Sequence, residues 1–482
     1  MPQRPNILFL MADQMQERVL APGHPCLTPN LDRLAARGMR FPRAYTPNAI
    51  CSPARASLMT GLLPHNHGVL TVTHTVDDDQ CNLRTDRPHW AQRLHASGYR
   101  TGYFGKWHVE RSSELERFGW QVNGESGREL WKDKARELKG EKPPAASYCL
   151  RYDLDRPAGY HGSIFYGVTD QPPERRGMGV STAAALDFLD GSLGKDAPWC
   201  CFVSVTEPHD PYICGEEAFA KYDVQKLDLA PNVHDDLAGR PNIYKKAARV
   251  WAHLTDRQRR EAMACYYASI TEIDAQFGRL LDKLETSGQA ENTIVVMTSD
   301  HGDLLGAHGL YCKNFTGAEE VYTIPMLLAG PGVARGKSSS ARVGLHELGP
   351  TLLELAHDKP LPEAPDRRSF APVLRDPARH ERDFEQGYAE YFGGRMILTQ
   401  RVVWDGKWKL VFNGFDFDEL YDLEADPYEL RNLAEDPAHR ETLKRMFKLM
   451  WRKVRDTGDR TLLQSQYPIL RVASFGPDVL KD

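Results

Sequence analysis

The sequence lacks the two features that would place the protein in or across a membrane. It has no apolar run approaching the about 20 residues that a membrane-spanning helix needs. The N-terminal segment Met1–Pro5 leads straight into a strand-like stretch, without the basic, apolar and small-residue regions of a signal peptide. We therefore expect no membrane partner and a cytoplasmic location, or a periplasmic one if an export leader has been removed.

Basic clusters and patterned cysteines are also missing. The 482 residues include 61 Lys and Arg against 66 Asp and Glu, a formal net charge of −5, with no basic block. This balance gives no indication of a nucleic-acid partner. The nine cysteines have no regular spacing, and Cys200 and Cys201 are neighbours in an apolar run. Buried free thiols fit this pattern better than a disulfide framework or a zinc site.

Several apolar runs lack the alternation of half-exposed strands. The run Asn6–Ala12 and the segments 199–205 and 293–299 are typical of strands buried on both faces of a parallel sheet. Helical spacing appears between them, most clearly at 259–284. The pattern predicts an α/β fold with a large mixed, mostly parallel sheet flanked by helices.

Proline and charge accumulate at residues 360–382, and we place a domain boundary there. The elements predicted beyond it are a hairpin of 396–403 and 408–412 with its turn at Asp405 and Gly406, a strand at 420–423 and a helix at 437–454. We therefore expect a large α/β domain at 1–375. A smaller C-terminal α+β domain, with an antiparallel sheet, a helix and a tail, would occupy 376–482.

Polar side chains follow the ends of several predicted strands. They are Asp13, Gln14, Lys106, His108, His209, Asp300 and His301. One Asp at a strand end is commonly a helix cap, but four such clusters in one α/β pattern are hard to explain as caps. Because open α/β sheets bind ligands at the carboxyl ends of their strands, we expect these side chains to converge.

The stretch from Cys51 to Gly61 is typical of a helix start that carries a reactive group. Ser52 is a good N-cap, Pro53 suits the first helical position, and Gly61 is a plausible stop. Cys51 would then lie just outside a helix N-terminus, where the helix dipole favours a negative group. Arg55, one turn further on, adds a fixed positive charge suited to forked contacts with an oxyanion.

These motifs, in this order, resemble those of the type I sulfatases of the alkaline phosphatase superfamily. The signature is Cys51-x-Pro53-x-Arg55 followed by Ala-Ser-Leu-Met-Thr-Gly. The other matching segments are Asn-Ile-Leu-Phe-Leu-Met-Ala-Asp at 6–13, Gly-Lys-Trp-His at 105–108, Pro208-His209, Ser-Asp-His-Gly at 299–302, Lys313, and Leu-Tyr-Asp-Leu at 420–423. The resemblance spans most of the chain and implies the sulfatase-like α/β fold.

The resemblance also implies a mechanism for a sulfuric ester hydrolase. Cys51 would be oxidised to formylglycine, whose hydrated aldehyde is the nucleophile, by a formylglycine-generating or an anaerobic maturation enzyme. The ligands of a divalent cation would be Asp13, Gln14, Asp300, His301 and the formylglycine at Cys51. The residues that bind the sulfate oxygens would be Arg55, Lys106 and Lys313, and those that move protons His108 and His209.

Two positions depart from the commonest family pattern. Gln14 stands where many members have a second Asp, and His301 where many have Asn. Oxygen ligands favour Ca²⁺, which we expect here, and the imidazole adds Mn²⁺ to Mg²⁺ as an alternative. The same Asp-Gln and Asp-His pairs occur in the related phosphonate monoester and phosphodiester hydrolases, an alternative function. Those enzymes usually lack a Lys-x-His such as Lys106-x-His108, which favours a sulfatase.

A third hypothesis, a non-catalytic anion- or glycan-binding relative, requires that Cys51 stay a thiol or that the metal set be broken.

The sequence does not name the ester, and both small aryl or alkyl sulfates and sulfated saccharides are open. We expect specificity in the polar, irregular segment 111–177, after Pro211 and in the tail 458–482, which would suit a homo-oligomer. The residues we assign to loops, the surface or a supporting role are His65, His67, His74 and Asp303.

Overall fold

A computed structural model describes residues 4–77, 81–84, 86–141, 144–313, 315–394, 398–463 and 472–481. Its strands are β1 Asn6–Asp13, β2 Met39–Arg40, β3 Arg100–Gly105, β4 Val122–Glu125, β5 Tyr148–Leu154, β6 Ser163–Thr169, β7 Trp199–Pro208, β8 Tyr212–Gly215, β9 Thr293–Ser299, β10 Met326–Ala329, β11 Lys337–Ser338, β12 Gln386–Tyr391, β13 Gln400–Asp405, β14 Trp408–Asn413 and β15 Glu419–Asp422. Its α-helices are α1 Pro29–Arg37, α2 Cys51–Thr60, α3 Pro64–His67, α4 Trp90–Ala96, α5 Glu129–Lys139, α6 Gly177–Asp190, α7 Glu216–Phe219, α8 Asn242–Ala248, α9 Asp256–Thr286, α10 Glu319–Tyr322, α11 Leu348–Leu355, α12 Ala371–Arg375, α13 Pro377–His380, α14 Arg440–Thr457 and α15 Arg460–Leu463.

The main sheet has eight strands in the order β11-β2-β10-β9-β1-β7-β3-β4. Its centre is parallel, with Leu8 of β1 level with Cys201 of β7 on one side and Val295 of β9 on the other. The strand β10 runs antiparallel to β9. The prediction of a mixed, mostly parallel sheet is confirmed.

Helices cover both faces of this sheet, which explains why its strands are continuously apolar. Alternate residues of β1 enter different cores: Leu8 and Leu10 pack with α6 and α9, whereas Ile7 and Phe9 pack with α2, α4 and α11. The strand is fully buried over its whole length, including its last residue, Asp13. The sheet therefore places a carboxylate at the end of a strand that has no exposed face.

The C-terminal antiparallel sheet has the order β12-β13-β14-β15, and α14 packs on it. Residues 396 and 397 of the predicted hairpin lie outside the described residues. The hairpin of β13 and β14 turns at Gly406 and Lys407, one residue later than predicted, because Asp405 pairs with Trp408. On the other face of this sheet, Trp404 from β13 belongs to an apolar cluster with Val321 and Tyr322 of α10. The domain division at residue 375 stays a prediction.

The segment 111–177 is more regular than the sequence predicts. It contains α5 and three strands; β4 extends the main sheet, while β5 and β6 form a second sheet with β8. Phe165 and Tyr166 are buried in the core and Tyr160 is 75% exposed. The prediction of an irregular insertion rested on the Gly, Pro and charge content of the whole segment, whereas β5 is marked only by a short alternation of exposed and half-buried residues.

The described part of the tail packs back on the C-terminal sheet domain. Leu462 and Val479 belong to the same apolar cluster as α14, and the Trp451 indole donates a hydrogen bond to the Phe475 carbonyl at 2.7 Å. The nine cysteines are all free thiols. Among the described residues, no helix is both long and apolar enough to cross a bilayer.

Gly302 illustrates how tightly the end of β9 is packed. A Cβ atom at this position would lie 2.0 Å from the backbone oxygen of Glu320. We expect Gly302→Ala to lower the free energy of unfolding by about 1–3 kcal/mol, because the backbone next to His301 must shift. Urea unfolding measures this loss.

The control is Gly476→Ala, where none of the described residues would lie within 4 Å of the new Cβ atom. Equal free energies of unfolding for the two variants would contradict the packing argument.

Candidate active site

Four adjacent strands deliver the predicted polar residues to one edge of the main sheet. The strands β9, β1, β7 and β3 lie side by side. The residues that follow or end them are Asp300 and His301, Asp13 and Gln14, His209, and Lys106 and His108. Because the carboxyl ends of parallel strands meet at one edge, residues far apart in sequence become neighbours here.

The helix α2 brings Cys51 to this edge, and it begins two residues earlier than predicted. Cys51 is its first residue, Ile50 occupies the cap position, and Ser52 lies inside the helix with its Oγ 3.5 Å from Thr73 Oγ1. Cys51 is thus in the first helical turn rather than outside it. Gly61 ends the helix in the left-handed conformation, at φ 70°, as its position in the sequence predicts.

Cys51 belongs to a compact group of possible metal ligands. One ligand atom from each of Asp13, Cys51, Asp300 and His301 lies within 4.8 Å of the others, and all four residues are buried. His301 Nδ1 is 2.9 Å from the Gly302 carbonyl oxygen and must donate its hydrogen there. The lone pair of His301 is therefore on Nε2, 3.2 Å from Cys51 Sγ.

Arg55 links the two carboxylates of this group. Its Nη2 donates to Asp13 Oδ2 at 2.9 Å and its Nε to Asp300 Oδ2 at 2.8 Å. The remaining Nη1 donates to the Lys106 carbonyl at 3.0 Å and to Ser204 Oγ at 2.8 Å. Arg55 is 1% exposed, and these N–H groups all donate to acceptors within the protein. This geometry favours a supporting role over the predicted contact with sulfate.

Two lysines place positive charge around Cys51. Lys106 Nζ is 2.6 Å from Asp13 Oδ2, and Lys313 Nζ is 3.1 Å from Cys51 Sγ. Burial raises the pKa of the Cys51 thiol, but the charges of Lys106 and Lys313 outweigh it, so that the pKa lies well below its usual value. The site is thus built to hold negative charge at this position.

Lys313 also connects Cys51 to His209. Its Nζ donates to Gln14 Oε1 at 2.8 Å and lies 2.8 Å from His209 Nε2. His209 Nδ1 is 2.7 Å from the Asp210 carbonyl and donates to it, which leaves Nε2 as the acceptor from the ammonium. A proton can pass along this contact in either direction.

Gln14 is held by two acids and has a left-handed backbone, with φ 69°. Its Nε2 donates to Asp210 Oδ1 at 2.9 Å and to Asp303 Oδ2 at 2.6 Å. These acceptors fix the side-chain amide so that Oε1 faces Lys313. Burial raises the pKa of Asp303 to about 7. Because it accepts the hydrogen bond from Gln14 Nε2, Asp303 supports Gln14, the role predicted for it.

A pocket of about 870 Å³ opens above Cys51. The predicted catalytic residues that line it are Cys51, Lys106, His108, His209 and Lys313. Asp13, Gln14, Arg55, Asp300 and His301 are not part of its surface and lie beneath. From the described part of the segment 111–177, the residues that line the pocket are Arg111, Ser112, Ser113 and Glu125.

Of the three histidines assigned from sequence to a loop or the surface, His65 and His67 lie in the helix α3 instead, and His67 is fully buried. His65 contacts Glu390 at 2.6 Å and His67 contacts Ser57 at 2.9 Å, and neither lines the pocket. His74 is exposed in a short turn, as predicted, but it also lines the pocket, and its Nδ1 is 2.9 Å from His108 Nε2. A lone histidine in a polar stretch carries no signal that distinguishes these cases.

An aromatic wall of the pocket was also missed. It consists of Tyr244, Trp251, Tyr311 and Phe315. Trp251 and Tyr311 have ring centroids 5.1 Å apart. These residues come from separate turns and helices after residue 211, the region where specificity is expected, and only the fold brings them together.

Comparison with known proteins agrees with this arrangement. The family model for sulfatases matches residues 5–358, and the model for the C-terminal part of N-sulphoglucosamine sulphohydrolase matches residues 306–456. The first match covers most of the chain and all the predicted site residues.

Individual relatives cover nearly the whole chain. A choline-sulfatase of Rhizobium meliloti (strain 1021) is 29% identical over 90% of this chain and 83% of its own. An uncharacterised sulfatase of Escherichia coli (strain K12) is 31% identical over 90% of this chain and 84% of its own. A phosphonate monoester hydrolase structure from Silicibacter pomeroyi has a TM-score of 0.77 at 24% identity, covering 95% of this chain and 97% of its own, and shows the fold alone. The chain described here belongs to the sulfatase family of the alkaline phosphatase superfamily.

Proposed function

We propose that this enzyme hydrolyses sulfate monoesters of aryl, alkyl or carbohydrate alcohols with formylglycine, made from Cys51, as its nucleophilic residue. The observation that supports this most is the place of Cys51 Sγ, 3.1 Å from Lys313 Nζ and 3.2 Å from His301 Nε2. Position 51 thus borders both the pocket and the buried ligand group. A hydrated aldehyde there would supply an oxygen nucleophile that faces a bound ester.

The buried donors fit a divalent cation. Asp13 and Asp300 supply carboxylate oxygens, the tautomer of His301 leaves Nε2 free to bind, and Gln14 Oε1 has a second lone pair beside its contact with Lys313. We propose Ca²⁺ as the ion, with Mg²⁺ or Mn²⁺ as alternatives because of the imidazole. When bound, the cation would stabilise negative charge on the nucleophile and on a sulfate oxygen.

Lys106 and Lys313 would bind the remaining sulfate oxygens. Both lysines line the pocket. The ammonium of Lys106 is within hydrogen-bond distance of Asp13, and that of Lys313 is within hydrogen-bond distance of Cys51. Arg55 would hold Asp13 and Asp300 in place beneath them. Fixed positive charge at the place where negative charge develops lowers the barrier without reorganisation.

His209 and His108 would handle the protons. His209 Nε2 and Lys313 Nζ share a contact of 2.8 Å, so that either can give a proton to the departing alcohol and recover it from the other. His108, which also lines the pocket, would take up a proton in the step that releases sulfate.

The alternative is a phosphonate monoester or phosphodiester hydrolase on the same scaffold. The pairs Asp13-Gln14 and Asp300-His301 favour it, because related hydrolases of that class share them. Lys106 and His108, which both line the pocket, favour the sulfatase. A non-catalytic, anion- or glycan-binding role fits poorly with a complete set of charged groups around Cys51.

The maturation of Cys51 can be read from the mass of the tryptic peptide 44–55, made in the native host. We expect the mass of an aldehyde in place of a thiol, since Cys51 lies in the Cys-x-Pro-x-Arg signature and borders both the pocket and the buried ligand group. The control is the same peptide from protein produced without either maturation enzyme, which should keep the thiol mass. A thiol in the native protein would contradict the proposed nucleophile.

Removal of the cation should lower both activity and stability. A ligand present at 100 times its Kd stabilises the folded state by about 2.7 kcal/mol. We expect chelation to lower the melting temperature and Ca²⁺ to restore it, while Asp300→Ala abolishes the response because it removes a ligand. Asp282→Ala, on the surface beside Arg33, is the matched control. An unchanged melting temperature on chelation and on addition of Ca²⁺, Mg²⁺ or Mn²⁺ would exclude this cation site.

Lys106 should determine the preference for sulfate. We expect kcat/KM to be higher for 4-nitrophenyl sulfate than for 4-nitrophenyl phenylphosphonate, and Lys106→Ala to lower the sulfate value by about 100-fold or more, since a charge-stabilising donor is lost. Lys132→Ala, exposed on α5, is the control. A higher value for the phosphonate in the wild type would establish the alternative function instead.

A further inference from the structure

His74 and His108 form a pair at the wall of the pocket. The imidazole rings stack with centroids 4.8 Å apart and planes inclined by 27°. His74 Nδ1 lies 2.9 Å from His108 Nε2, which requires that one nitrogen carry the hydrogen and the other accept it. The tautomer of one ring therefore determines that of the other.

The surroundings of His108 restrict which tautomer it adopts. Its Nδ1 is buried and has no hydrogen-bond partner among the described residues. A hydrogen on that atom would be a buried donor without an acceptor, at a cost of about 1–3 kcal/mol. The arrangement therefore favours the hydrogen on Nε2, donated to His74, and leaves a lone pair on Nδ1.

The backbone around both rings is held in place. His108 has a left-handed conformation, with φ 53°, which is uncommon for a residue other than glycine. His74 lies in the short turn Thr73–Thr75, whose Thr73 amide donates to Ser52 Oγ at 3.4 Å. Thr75 Oγ1 donates to the Gly394 carbonyl at 3.3 Å. The turn that carries His74 is thus tied to the helix that carries Cys51.

We propose that His74 is a positioning residue for His108. It accepts the Nε2 hydrogen of His108, fixes the ring against rotation and keeps Nδ1 in the basic form that takes up a proton during sulfate release. This role rests on the proposed function, in which His108 acts in the step after the alcohol has left. His74 itself need not touch the reacting atoms.

The test compares two substitutions of His74, one that keeps its aromatic ring and one that keeps its hydrogen-bond acceptor. His74→Phe keeps an aromatic ring beside His108 but removes the acceptor, whereas His74→Asn keeps an acceptor, Oδ1, at the same number of bonds from the backbone as Nδ1. We expect His74→Phe to lower kcat by about 10- to 100-fold, as for other residues that orient a functional histidine, and His74→Asn to recover most of it. His95→Phe, exposed on α4, is the control.

The kinetic pattern separates positioning from substrate binding. For His74→Phe, kcat and KM should fall by the same factor and kcat/KM should stay unchanged, because kcat/KM reports the steps through alcohol release and His108 acts afterwards. Stopped-flow mixing with 4-nitrophenyl sulfate should then show a burst of about one equivalent of 4-nitrophenol per active site. A rise in KM with unchanged kcat and no burst would overturn the proposal and make His74 a substrate contact.

A second measurement does not depend on formylglycine or on activity. In the full-length Cys51→Ala protein, imidazole ¹H–¹⁵N spectra report the tautomer of His108, assigned by its loss in His108→Gln. We expect the hydrogen on Nε2, and a change of tautomer or exchange between tautomers when His74→Phe is added. A His108 signal that is the same with and without His74 would overturn the positioning role. If the wild type proves to have no sulfatase activity, the proposed function fails while this result still decides the coupling of the two rings.

Discussion

The buried contact of Arg55 with Asp13 and Asp300 is the interaction on which the rest of the site depends. The two carboxylates end neighbouring parallel strands, β1 and β9, and both are fully buried. Burial raises the pKa of Asp13, but the charges of Lys106 and Arg55 outweigh it and hold the carboxyl pKa well below its usual range. Asp13 can thus stay ionised inside the protein, because its countercharges are buried with it.

The charged groups of the site form two layers, one rich in carboxylates and one rich in cationic side chains. The lower layer contains Asp13, Asp300 and His301 with Arg55, and the upper layer contains the lysines and histidines that line the pocket. Cys51 lies between the layers, in contact with both. A sulfate monoester in the pocket, with its single negative charge, would face the positive layer, and a cation below would face the negative one, so that each charge meets its complement.

The histidines around Cys51 differ in the hydrogen-bond partner that fixes their tautomer. His301 and His209 each donate Nδ1 to a backbone carbonyl, at Gly302 and Asp210, and their tautomers follow from the local chain. His108 has no such carbonyl among its described contacts and depends on another side chain, His74. A backbone partner is supplied by the neighbouring residue, whereas a side-chain partner must be brought by a different segment.

The sequence determined the α/β class, the buried strands and the polar residues at their ends, because continuous apolar runs and strand-end motifs are local patterns. It also determined the family, through motifs such as Cys51-x-Pro53-x-Arg55. Only the tertiary structure decided that Arg55 faces carboxylates rather than the pocket, that 111–177 contributes two strands to a second sheet, and that His74 meets His108 across 34 residues of chain. These depend on which segments pack together, and long-range packing leaves no periodic signal in a single sequence.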